Sequence, residues 1–124
     1  MTEILLIDDM AGVRRAVTAM LKRAGHGVTV AESGGQGVEM LKTRRFDLVI
    51  TDMLMPGIDG ADVLGQMEAM PNRPRVIAIS GGGAGMSADS ALRLARIKAD
   101  AFLEKPFDSE DLIAAVDKLL VKTP

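Results

Sequence analysis

Short continuous apolar runs alternate along this chain with longer segments in which apolar residues return every three or four positions. The runs are Ile4-Leu5-Leu6-Ile7, Val28 to Ala31, Leu48-Val49-Ile50, Val76-Ile77-Ala78-Ile79 and Ala101-Phe102-Leu103. Each has the length of a strand and is bounded by polar or turn-forming residues. The segments between them predict helices. The first carries Val13, Val17, Met20, Leu21 and Ala24 and is closed by Gly25. The second starts at a Ser33 cap and carries Val38 and Leu41, with Gly34, Gly35 and Gly37 weakening its first turn. A third, after the turn-rich stretch 55–60, has Val63, Leu64 and Met67 on one face. A fourth, after a Gly-rich loop at 81–85, turns the slim face of Ala88, Ala91, Leu92 and Ala95 inward. The last begins near Asp108 or Ser109 and carries Leu112, Ile113, Val116, Leu119 and Leu120.

Strands that are apolar throughout, each followed by a helix, imply a parallel sheet covered on both faces. The 124 residues are too few for a closed barrel of eight such units. The expectation is therefore an α/β fold, a doubly wound, flavodoxin-like five-stranded parallel sheet of order 2-1-3-4-5, forming one domain over residues 1–124. No repeat, linker or low-complexity tract interrupts it.

Composition narrows the function. The net charge of -2 provides no basic field for nucleic-acid phosphates. The absence of Cys removes disulfides and thiolate metal sites. No apolar run approaches the roughly 18 residues of a membrane span, and the N-terminus lacks the basic start and long apolar region of a signal peptide. A cytoplasmic protein is expected. With three Phe and neither Trp nor Tyr, a flavin site built on ring stacking has no material.

In an open parallel sheet, ligands bind beyond the carboxyl ends of the strands where the strand order reverses. In the expected order that point lies between the first and third strands, whose ends carry Asp8, Asp9 and Asp52. Ser80 ends the fourth strand and Lys105 follows the fifth, so these polar residues share one rim. Each has an ordinary structural reading: a helix cap for Asp8-Asp9 and Ser80, a loop residue for Asp52, a solvated lysine for Lys105. Their joint placement argues for chemistry. Converging carboxylates repel, and a hard divalent cation relieves the repulsion; an all-oxygen donor set suits Mg2+. Carboxylates, a metal and a nearby Lys suit a phosphoryl group, and an Asp carboxylate can be its covalent acceptor. The Gly-rich loop at 81–85 lacks the phosphate-loop pattern and reads as a connector.

The stretches ILLIDD at 4–9, DLVITDMLMPGIDG at 47–60, VIAIS at 76–80 and AFLEKPF at 101–107 match, in order and spacing, one known family. The chain resembles the receiver domains of bacterial two-component response regulators, the CheY-like superfamily, over essentially its whole length. The resemblance implies a phosphorylation-dependent signalling switch rather than an enzyme, one that assists its own phosphorylation and dephosphorylation. Asp52 would be the phosphoacceptor. Asp9 and Asp52 would ligate Mg2+ directly, Asp8 mainly through water, and the backbone carbonyl of Leu54 would complete the protein's share. Lys105 would meet a phosphoryl oxygen, across a cis bond to Pro106, and the amide of Gly81 would donate to the same group. Ser80 and Phe102 take the switch positions; Phe102 stands where many relatives have Tyr and cannot donate a hydrogen bond. Leu54 is expected to slow loss of the phosphoryl group by limiting access of water.

The implied partners are a sensor histidine kinase or a histidine phosphotransfer protein, and a downstream protein target. The implied assembly is a monomer or a phosphorylation-dependent dimer. The first helix, with Met10, Arg14 and Arg15, is the expected kinase face. The fourth helix, fifth strand and last helix, with Leu94, Ile97 and Phe102, form the expected output face. One rival is a small phosphatase or phosphotransferase with an Asp nucleophile, but the D-x-D-x-[TV] pattern of that class is absent. A flavodoxin-type electron carrier lacks its phosphate loop and aromatics. A degenerate receiver acting only as a binding module would have lost one of the acidic or lysine positions, and all are present.

Overall fold

The computed structural model describes residues 2–53, 60–71, 73–80 and 99–120, with backbone alone at 60, 61 and 80. Strands β1 (Glu3–Ile7), β2 (Gly27–Ala31), β3 (Leu48–Asp52), β4 (Arg75–Ser80) and β5 (Ala101–Glu104) form one sheet. All four neighbouring pairs are parallel, in the order β2-β1-β3-β4-β5. Helices α1 (Ala11–Arg23), α2 (Gly34–Thr43), α3 (Gly60–Glu68) and a last helix (Ser109–Leu120) accompany it. The expected doubly wound fold is the observed one. The helix expected around Ala88 to Ala95, the Gly-rich loop before it, and Leu94 and Ile97 lie outside the described residues.

Alternation along the strands divides the core into two layers. Ile4, Leu6, Leu48, Ile50, Ile77 and Ile79 pack with Val17 and Leu21 of α1 and Leu112 and Val116 of the last helix. Leu5, Ile7, Val49, Val76 and Ala78 pack on the other face with Val38 and Leu41 of α2 and Val63, Leu64 and Met67 of α3. Every residue of central β3 is buried, whereas β2 and β5, at the two edges, are largely half-buried. Each large side chain taken fully out of water stabilises the fold by about 1.5–3 kcal/mol.

The strands outrun their apolar runs. Asp52 pairs with Ile79 and Ser80 with Glu104, so the ladder carries polar side chains to its carboxyl ends. Ladder hydrogen bonds join backbone groups and are indifferent to side-chain polarity.

Local chemistry sets the helix ends. The hydroxyl of Ser33 accepts from the Gln36 amide at 3.2 Å, capping α2 as its sequence predicts. Asp108 accepts from the Asp111 amide at 2.9 Å and caps the last helix. At the end of α1, Gly25 takes φ 94. The Gly25 amide then donates to Lys22 and the His26 amide to Leu21, a Schellman closure that a left-handed glycine permits.

Candidate functional site

The register of the sheet brings the acidic residues together. Ile7 is level with Thr51 across β1 and β3, so the next residue of each strand line, Asp8 and Asp52, emerge side by side at the carboxyl edge. Asp52 is held in line because the Met53 amide donates to the Ile79 carbonyl at 2.9 Å, extending the ladder past it. Asp8 is tied on the other side by its own amide, which donates to Ala31 at 3.2 Å. Asp8 is fully buried, Asp52 is 3% exposed and Asp9 stands at the surface. One carboxylate oxygen from each of the three lies within 4.8 Å of the others.

Lys105, just past β5, reaches back over this cluster. Its Nζ lies 3.4 Å from Asp52 Oδ2, with hydrogen-bond geometry, and 3.4 Å from Asp8 Oδ2. Asp8 Oδ1 accepts from the Met10 amide at 2.9 Å, but the buried Oδ2 has no hydrogen-bond partner and meets Lys105 only as an ion pair. A buried carboxylate oxygen left without a donor is costly. Asp8, Asp9 and Asp52 together offer an all-oxygen donor set. That arrangement fits a hard divalent cation, so the residues present can hold a metal ion.

The model of the response regulator receiver domain matches residues 4–117. The chain belongs to that family. Receiver domains of response regulators are therefore its relatives in sequence and in fold. The transcriptional regulatory protein FixJ of Bradyrhizobium diazoefficiens is 32% identical over 117 residues, covering 94% of this chain and 56% of FixJ. Sporulation initiation phosphotransferase F of Bacillus subtilis is 30% identical over 118 residues, covering 95% of this chain and 93% of its own length. The chain thus spans about half of one such relative and nearly all of another. Among solved structures, the response regulator TrrA of Thermotoga maritima, determined in complex with Mg(2+)-BeF, superposes with a TM-score of 0.82 at 28% identity, covering 97% of this chain and 100% of its own.

Of the receiver positions expected from sequence, Asp8, Asp9, Asp52 and Lys105 converge. The Lys105-Pro106 bond is cis. Ser80 is the last residue of β4, one position beyond the level of Asp52, and its side chain is outside the described residues, as are Leu54 and Gly81. Phe102 is half-buried on the face that packs against α2 and α3.

Two neighbours of the site escape sequence reasoning in the form they take. Arg14, expected at a docking face, is turned inward. Its Nη1 donates to the Asp8 carbonyl at 2.9 Å and its Nη2 pairs with Glu32 at 3.2 Å, leaving the side chain 15% exposed. It therefore pins the loop after β1 to the loop after β2. Nothing local in the sequence links Arg14 to Glu32, because the contact arises only when β2 lies beside β1. Arg15 does remain exposed. Met10 sits on the lip, with its sulfur 4.0 Å from Lys105 Nζ.

Proposed function

We propose that this receiver domain, occupying residues 1–124, takes a phosphoryl group on Asp52 from a sensor histidine kinase or a histidine phosphotransfer protein. The observation that carries the reading is Asp52 at the floor of a three-carboxylate cluster, with Lys105 Nζ 3.4 Å from its Oδ2. In the transfer, an Asp52 oxygen bonds to phosphorus as the nitrogen–phosphorus bond of the donor imidazole breaks, and the imidazole leaves with that electron pair. Mg2+, held by Asp9, Asp52 and the Leu54 carbonyl with Asp8 acting through water, would neutralise charge on the phosphoryl oxygens. Lys105, 3.4 Å from both Asp8 and Asp52, would meet one of those oxygens, turning from carboxylates to phosphoryl as the charge shifts. The Mg(2+)-BeF bound by TrrA supports this reading, since beryllium fluoride is a tetrahedral stand-in for a phosphoryl group.

The response passes to Ser80 and Phe102. The Ser80 hydroxyl moves toward the phosphoryl group and Phe102 follows by packing alone, altering the face built on β5 and the helices beside it. The domain works as a cytoplasmic signalling element rather than a turnover enzyme. It contacts a downstream protein as a monomer or as a phosphorylation-dependent dimer. Among the described residues, no helix is long and apolar enough to cross a membrane.

The test is intact mass after incubation with acetyl phosphate and Mg2+, compared with Asp52→Asn and with a chelator. A gain of one phosphoryl group that disappears in both controls is expected. No gain, under conditions that label another receiver, would make the domain a binding module for its unmodified form.

A further inference from the structure

Met10 is unusual among the described methionines. Met53 and Met67 are fully buried, and Met20, Met40 and Met70 are partly buried against the core. Met10 is 55% exposed, although it is a large apolar side chain beside an acidic site. Its sulfur lies 4.0 Å from Lys105 Nζ, the ammonium that also stands 3.4 Å from Asp8 and 3.4 Å from Asp52. A thioether is a weak acceptor, so in this state the carboxylates hold the lysine.

We propose that Met10 is a reversible oxidation site through which peroxide lowers the reactivity of the phosphorylation pocket. In the oxidation, the sulfur lone pair attacks one oxygen of hydrogen peroxide, the oxygen–oxygen bond breaks and water leaves. The thioether loses two electrons to become the sulfoxide, and the peroxide gains the same two. The new oxygen sits one bond length from a sulfur already in contact with the ammonium. It is a strong acceptor within reach of Lys105 Nζ and competes with Asp52 for it. Exposure makes Met10 reactive, and the lysine contact makes the reaction felt at the acceptor. The change is reversed by methionine sulfoxide reduction.

The effect on reactivity rests on Asp52 as phosphoacceptor; the selective oxidation and the capture of Lys105 do not. The full chain, free of metal, is treated with limiting hydrogen peroxide, and the sulfoxide is located by peptide mass. Met10 is expected to oxidise ahead of Met20, Met40, Met53, Met67 and Met70. The Lys105 Cε–Hε resonance is expected to move on oxidation in the wild type and to stay in Met10→Leu. Labelling by acetyl phosphate should then slow roughly five- to tenfold in the oxidised wild type, as expected when one charge-assisted hydrogen bond is redirected. A methionine sulfoxide reductase should restore it, and Met10→Leu should label at one rate before and after peroxide. The proposal is overturned if Met10 oxidises no faster than the buried methionines, if the Lys105 resonance does not move, or if Met10→Leu slows as much as the wild type. Absence of label on the unoxidised protein would overturn the phosphoacceptor reading instead, while the mapping and the resonance would still decide the fate of Met10.

Discussion

Asp8 and Asp52 are buried carboxylates that share the ammonium of Lys105, with Asp9 beside them at the surface. Such crowding is tolerated for function and costs stability in the metal-free state. Asp52→Asn removes one negative charge and leaves Lys105 with Asp8, so it should stabilise the metal-free domain by about 1 kcal/mol. Thermal unfolding should show a rise of roughly 4 °C, and saturating Mg2+ should erase the difference; a lower midpoint would mean that contacts of the Asp52 carboxylate outweigh the repulsion. A second residue prediction concerns Leu54, which follows Asp52 by two positions in the sequence. Leu54→Asn should shorten the lifetime of the aspartyl phosphate several-fold, about 1 kcal/mol in the barrier, as followed by decay of the phosphorylated mass. The acidic and lysine positions were legible as residue types at strand ends. Which of the adjacent Asp8 and Asp9 is buried was not, because that depends on how the loop after β1 is pinned by Arg14 and the Met10 amide.

At the scale of elements, the glycines of α2 illustrate how packing overrides propensity. They weaken a helix on paper, yet α2 begins at its Ser33 cap with Gly34 and Gly37 buried. A methyl group built at Gly37 would collide with Ile7 Cδ1 and come within 2.8 Å of Ile7 Cγ1. Gly37 is thus the residue that lets α2 lie on β1 one step before Asp8. Gly37→Ala should destabilise the domain by about 1–3 kcal/mol through overpacking, despite the better helix propensity of Ala. Gly65, inside α3, has nothing within 4 Å of the same built atom. Gly65→Ala should therefore stabilise by about 0.5–1 kcal/mol. Denaturant midpoints of the two variants, moving in opposite directions, check the pair; a gain at Gly37 would show that Ile7 repacks freely. The strands and the caps could be read from local patterns, since Ser33, Gly25 and Asp108 act within a few residues of themselves. The contact of Gly37 with Ile7 joins residues thirty positions apart, and no local pattern encodes it.

For the molecule as a whole, a metal ion held by the three carboxylates would be linked to folding, because they meet only in the folded sheet. At Mg2+ tenfold above its dissociation constant, mass action should add about 1.4 kcal/mol to stability. Thermal unfolding should then show a rise of roughly 5 °C, which Asp9→Asn should reduce. An equal rise in Asp9→Asn and wild type would place the ion elsewhere. The run of five apolar strands and intervening amphipathic segments determined the parallel sheet, its order and the rim on which chemistry falls, because burial on both faces and short right-handed connections leave few other arrangements. Residue types at the strand ends likewise determined the family. Tertiary structure alone decided that Asp8 Oδ2 is buried without a hydrogen bond, that Arg14 bridges the Asp8 carbonyl and Glu32, and that Met10 touches Lys105 across 95 positions of chain. Those facts depend on distances between elements that become neighbours only when the sheet assembles, and local periodicity carries no measure of them.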